Sequence, residues 1–165
     1  TPQLLKMLGF SVQETLTAMT IISIGVPAGC FLASLVSDLG GRKLPLAALA
    51  ALAAVFALIF GAMKSLMLLT LLGFTVTALV MAMGFTLFSY TAESYPTRMR
   101  NTATGFHNGL ARLAVSGSQF FIPMIHAAHG FAGIFTTVAM LLFLPVIPLL
   151  LWGQRTGGKS LEEIE

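Results

Sequence analysis

Apolar residues fill this chain in five long runs, at roughly 14–37, 44–62, 66–91, 102–125 and 131–152. A helix needs about 20 apolar residues, at 1.5 Å rise each, to cross the hydrocarbon of a bilayer, and each run is of that order. A barrel strand would be only about ten residues long with strict alternation. Backbone groups in lipid must pair within their own segment, so the pattern predicts an all-α fold. The expected architecture is a polytopic membrane bundle of about five transmembrane helices over 1–152, with a short tail at 153–165.

The edges of the runs carry local signals. Ser11 and Glu14 in SVQE have the spacing of a capping box. Pro45 stands where a first-turn proline opens a helix. Pro27, Pro123, Pro145 and Pro148 lie within or near the ends of spans, where neighbouring helices tolerate kinks. The second run, LPLAALAALAAVFALIFGA, is rich in small residues that permit close helix approach.

Composition supports the membrane reading. The chain is 56% hydrophobic and 9% charged, with a mean hydropathy of +0.90; a soluble domain is about one-quarter charged. The lone Cys30 excludes an internal disulfide. The net charge of +3 is scattered between apolar runs rather than gathered on a solvated face, which argues against nucleic acid as a partner. No nucleophile–base pair or metal triad appears within the spans, so an enzyme is not expected, nor a cofactor or metal. His126 and His129 lack a third ligand. The chain opens on Thr1-Pro2 with no visible signal peptide, and reads as a piece of a longer chain.

Charge placement gives orientation. Arg42 and Lys43 lie between the first two spans, Arg98 and Arg100 between the third and fourth, and Arg155 and Lys159 after the fifth. All six share one face, whereas Lys6 and Lys64 fall on the other. The positive-inside rule puts the C-terminus in the cytoplasm, in an inner or plasma membrane. Two of these loops, SDLGGRK (37–43) and AESYPTRMR (92–100), mix acid with base. If they meet, each pair is worth about 0–1 kcal/mol at the water boundary, enough to bias two conformations of similar energy. The plainer alternative is a pair of solvated loops that only set topology.

Within the spans, Arg112 is costly and therefore a functional candidate. Asn108, Arg112, Ser116 and Gln119 recur at four, four and three residues, forming one polar stripe that faces the bundle interior or an aqueous cavity. A cation there suits an anionic solute; pairing within the protein is the alternative. His107 neighbours the stripe, and packing is its plainer role. Phe85, Phe88 and Tyr90 offer aromatic faces to a ligand, or to lipid and core.

The two loops carry a resemblance. SDLGGRK resembles the second copy of the loop motif of the major facilitator superfamily, an Asp, Arg, any, Gly, Arg, Arg/Lys pattern. Asp38, Gly41, Arg42 and Lys43 match; Leu39 replaces the first Arg and Ser34 an upstream Gly. AESYPTRMR is similar to that family's loop between its tenth and eleventh helices through Glu93, Tyr95, Pro96, Thr97, Arg98 and Arg100. The tail TGGKSLEEIE is similar to the sugar-porter ending, with Gln154, Arg155 and Gly157 departing from it.

The resemblance implies that the spans are helices eight to twelve of a twelve-helix secondary transporter working by alternating access. Its N-terminal half would be a partner, together with membrane lipid, a small-molecule solute and a coupling proton. It also implies that Asp38, Arg42, Lys43, Glu93, Arg98 and Arg100 form a cytoplasmic gating network. No carboxylate sits mid-span here, so a coupling acid would lie in the other half. Sugar porters carry Gly-Pro-x-Pro-Trp where this chain has GFTLF (84–88), with Phe85, Leu87 and Phe88 replacing Pro, Pro and Trp. The aromatic-acid and metabolite:proton symporters share the loop motifs without that Trp. The expected solute is therefore a small organic or aromatic acid or similar metabolite, with a hexose-type sugar as the alternative. A channel or a non-transporting multipass scaffold is the alternative of another class.

Overall fold

The computed structural model describes residues 11–36, 43–63, 65–95 and 97–152. All regular structure among them is helical: α1 (Val12–Val36), α2 (Lys43–Ala62), α3 (Leu66–Ser94), α4 (Thr97–Phe143) and α5 (Val146–Trp152). The capping box forms at the start of α1. The Ser11 backbone N–H donates to Glu14 Oε2 at 2.9 Å, and the Glu14 N–H donates to Ser11 Oγ at 3.2 Å.

Two junctions differ from the sequence expectation. The stretch 92–100, expected as a loop, is largely helix. α3 runs to Ser94 and α4 resumes at Thr97. Only the backbone at Tyr95 (φ −116°, ψ 140°) is seen to leave the helix, in the extended conformation favoured before a proline. The gap expected at 126–130 is also helical, except that Gly130 takes φ 66°, ψ −163° inside α4. Glycine alone visits that region readily. The apolar stretch Arg98–Leu151 counts 54 residues. As one straight helix it would run about 80 Å, against a hydrocarbon core of about 30 Å. It is therefore two crossings folded at Gly130, a first arm (97–129) and a second arm (131–143) continued by α5 after a turn at Leu144 and Pro145.

Packed residues fix the direction of each helix. Ala18 of α1 clusters with Leu69 of α3, and Ala33 with Ala82, so these two helices run parallel. α2 runs opposite to them: Phe60 lies with Leu69, and Leu49 with Ala82. The second arm returns along α2. Phe135 meets Phe60 with ring centroids 4.5 Å apart, Leu142 packs on the Leu49–Ala53 cluster, and Val146 of α5 packs on Ala47 and Ala50. One end of the bundle thus gathers the C-termini of α1 and α3 with the N-termini of α2 and α4. The other end holds Ser11, Phe60 and Gly130.

Small side chains set the spacing. Lipid is as apolar as Leu, so helices in a membrane associate by close packing rather than by escape from water. Ala53, Ala54 and Ala57 of α2 are fully buried. Gly25 and Gly29 press α1 onto α3, where a Cβ on Gly25 would stand 2.7 Å from the Phe74 carbonyl oxygen. The buried hydroxyls of Thr15 and Thr86 donate to the Ser11 and Ala82 carbonyls, each at 2.9 Å, so neither is left unpaired in an apolar setting.

Candidate functional site

The first arm of α4 is the least covered helix of the bundle. Asn108, Arg112, Ser116 and Gln119 are all exposed along it. A Cβ on Gly105, Gly109 or Gly117 would meet nothing within 4 Å. The arm touches α3 near its own start, where the His107 and Phe88 rings meet edge to face at 5.6 Å and 88°. At 3.6 residues per turn, Arg112 lies about 140° around the helix from His107. The polar stripe therefore turns away from α3, toward space that this chain's own helices leave open.

α3 contributes a second feature to the same end of the arm. Phe85 and Phe88 are 47% and 37% exposed, and the face at Gly84 is open, since a Cβ there would meet nothing within 4 Å. Tyr90 is half-buried. The structure brings Phe88 to α4 through His107 rather than through the stripe. By sequence His107 reads as a packing residue. Its Nδ1 atom is buried and has no hydrogen-bond partner among the described residues. Nothing in the sequence signals this, because it depends on a neighbour 19 positions away.

The charged segments converge at the end that carries the N-termini of α2 and α4. Lys43 opens α2 and is half-buried; Arg98 is exposed and Arg100 half-buried in the first turn of α4; Glu93 belongs to the last turn of α3. These charges oppose the helix dipoles, which favour anions at N-termini and cations at C-termini. Local helix stability therefore does not account for their placement. Asp38 and Arg42 lie outside the described residues, so their part in the expected gating network has no described geometry.

A further open cleft of about 970 Å³ lies between the starts of α1 and α3, at the opposite end. Its wall is mainly apolar, with Ser11, Gln13, Glu14, Thr17 and Thr70 the polar members. No group of three or more His, Cys, Asp or Glu among the described residues is placed to hold a metal ion.

Residues 2–165 match the family model described as sugar (and other) transporter. A Bacillus subtilis protein whose name assigns it to metabolite transport, YyaJ, is 29% identical over 97% of this chain and 36% of its own length. The niacin transporter NiaP of Acinetobacter baylyi is 25% identical over 99% of this chain and 37% of its own. An arabinose-proton symporter of Bacillus subtilis is 28% identical, again over 99% and 37%. The chain spans somewhat more than a third of the length of these relatives.

Proposed function

Because the chain belongs to the sugar (and other) transporter family of the major facilitator superfamily, we propose that it forms part of a secondary transporter for a small organic acid, with an aromatic acid favoured. The observation that carries this reading is Arg112, exposed in the middle of a membrane-crossing arm on the face turned away from its own bundle. An arginine facing lipid at that depth is expensive, whereas one lining a water-filled path between two halves is functional. A planar guanidinium pairs well with a carboxylate. Asn108, Ser116 and Gln119 supply neutral hydrogen-bonding groups along the same path. Phe85 and Phe88 supply apolar surface from α3. The name of one relative specifies niacin, a ring carboxylate.

Transport proceeds by alternating access, one half rocking against the other around a central site. Asp38, Arg42, Lys43, Glu93, Arg98 and Arg100 latch the cytoplasmic end in one state and part in the other, with the C-terminus on that side. A proton gradient drives uptake. The name of the arabinose-proton symporter supports proton coupling and also favours a second reading, a sugar as solute. Phe88 in place of the sugar-porter Trp weighs against that.

The test is reconstitution of the full-length protein in proteoliposomes with an inward proton gradient and a panel of aromatic acids, aliphatic acids and sugars. Accumulation of aromatic acids that collapses with the gradient is expected. Uptake of sugars alone would replace the reading with the second one. No gradient-driven uptake of any solute would refute both.

A further inference from the structure

A cavity of about 160 Å³ lies where α2, α3 and α5 meet. Leu46 and Ala50 of α2, Met83 and Leu87 of α3, and Val146 and Leu149 of α5 line it, and every described residue of the lining is apolar. The void has a cause in the sequence. Val146 packs on the small side chains of Ala47 and Ala50, and the turn at Leu144 and Pro145 interrupts the helix at the same height. The floor is closed, since Leu46, Ala50 and Val146 are buried. Pro145 on the rim is exposed, and Leu87 and Leu149 are half-buried. The mouth therefore lies at Pro145, beside Leu144 and Ile147, which are 70% and 63% exposed. Such side chains are as apolar as lipid tails, so a tail can enter here without leaving an apolar setting.

An apolar void of about this size stays dry and takes up hydrocarbon of about six carbon atoms. A chain that fills it gains the dispersion contacts that the lining otherwise lacks. Charge placement tells which hydrocarbon fits. Leu46, Ala47 and Ala50 follow Lys43 at three, four and seven residues, so all four share one face of α2. Leu46 and Ala50 stand about 5 and 10 Å along the helix from Lys43. Lys43 is half-buried; a lysine at such a place lays its stem on apolar surface and holds its ammonium at the water boundary. A cation one to two turns above an apolar slot is complementary to an amphiphile with an anionic head, and basic residues at this boundary attract anionic lipid. We propose that the slot between α2, α3 and α5 is a lipid site. It seats one chain of an anionic phospholipid from the leaflet at the charged end of the bundle, with the phosphate at Lys43. The seated chain ties α5 to α2 and α3. The site does not depend on which solute is carried.

The test uses full-length protein in nanodiscs of phosphatidylcholine that contain a trace of one photoreactive lipid. The probes are phosphatidylglycerol, phosphatidylcholine and a free fatty acid, each with a diazirine at the same carbon of one chain. Mass spectrometry maps the cross-linked residues. In wild-type protein the phosphatidylglycerol probe is expected to label segments 83–87 and 145–149 about fivefold more than the phosphatidylcholine probe, the worth of one basic residue near the surface. Lys43→Gln should bring that ratio close to one. Ala50→Leu fills the slot and should remove most of the labelling of both segments, while labelling at Leu52 and Val55, exposed elsewhere on α2, stays unchanged. Leu87→Phe fills the slot from α3 and decides in the same way should Ala50→Leu not yield a monodisperse protein. Equal labelling of wild-type protein by the two phospholipids overturns the site. So does labelling that neither filling variant changes, because that is the contact any lipid makes around the bundle. Labelling by the fatty acid without labelling by phosphatidylglycerol overturns the assignment to phospholipid.

Discussion

Gly29 of α1 lies so close beneath the main-chain carbonyl of Ala78 in α3 that a Cβ at position 29 would overlap that oxygen. The obstacle is backbone, which cannot swing aside as the tip of a flexible side chain can. Gly25, one turn earlier, faces Phe74 in the same way. This Gly-x-x-x-Gly pair is what lets two parallel helices pack along their length. Gly29→Val should destabilise the full-length protein by about 1–3 kcal/mol, the usual cost of overpacking. Gly84→Ala, with open space at that position, should cost little. Thermal unfolding in detergent of the two variants checks the contrast.

The reversal at Gly130 rests on backbone conformation alone. Its φ of 66° lies where side chains are strained, yet a Cβ there would meet nothing within 4 Å. Gly130→Ala should therefore cost about 1–3 kcal/mol through strain without a clash. Gly117→Ala, in the helical body of the same arm, should be neutral or gain up to about 1 kcal/mol. Equal melting temperatures for the two variants would show that the reversal does not need glycine.

In the proposed function Arg112 carries the charge recognition, so Arg112→Gln should lower kcat/KM for organic-acid uptake by about tenfold or more, the scale of a lost charge-assisted hydrogen bond. Arg112→Lys keeps the charge without the planar fork and should fall between. Initial uptake rates over a range of solute concentrations measure both. Unchanged kinetics in Arg112→Gln would mean that the residue serves packing only.

The proposed gating network makes a gentler prediction. Each pair at the water boundary is worth about 0–1 kcal/mol, so one neutralisation shifts the balance of conformations rather than unfolding the protein. Glu93→Gln and Arg42→Gln should each lower uptake by up to about fivefold, with normal membrane insertion by surface labelling. Wild-type uptake in both would remove the latch.

Much of the helical framework was legible in the sequence because apolar length is a strong signal. Runs such as 44–62 admit few readings in lipid, and Ser11 with Glu14 announced the start of α1. The junctions were less legible. AESYPTRMR reads as a loop because charge in an apolar chain looks like solvent exposure, yet only the extended Tyr95 before Pro96 is seen to interrupt the helix. The reversal at Gly130 hides among His126, Ala127, Ala128 and His129, none of which breaks a helix. The stripe through Arg112 follows from spacing alone, but the direction it faces depends on where α3 lies. The pairing of His107 with Phe88, and the burial of its Nδ1, could not be read from either residue's surroundings in sequence.

The proposed gate and path both rest on the charged segments sharing one face of the membrane, and cysteine labelling tests this most directly. In full-length protein with the exposed Cys30 replaced by Ser, single cysteines at Gly40, Met99 and Ala128 would be probed in intact cells with a membrane-impermeant maleimide, then again after permeabilisation. Positions 40 and 99 should react only once the cytoplasm is opened, and position 128 from outside. Reaction of 40 and 99 from opposite sides of the membrane would contradict the topology, and the gate with it.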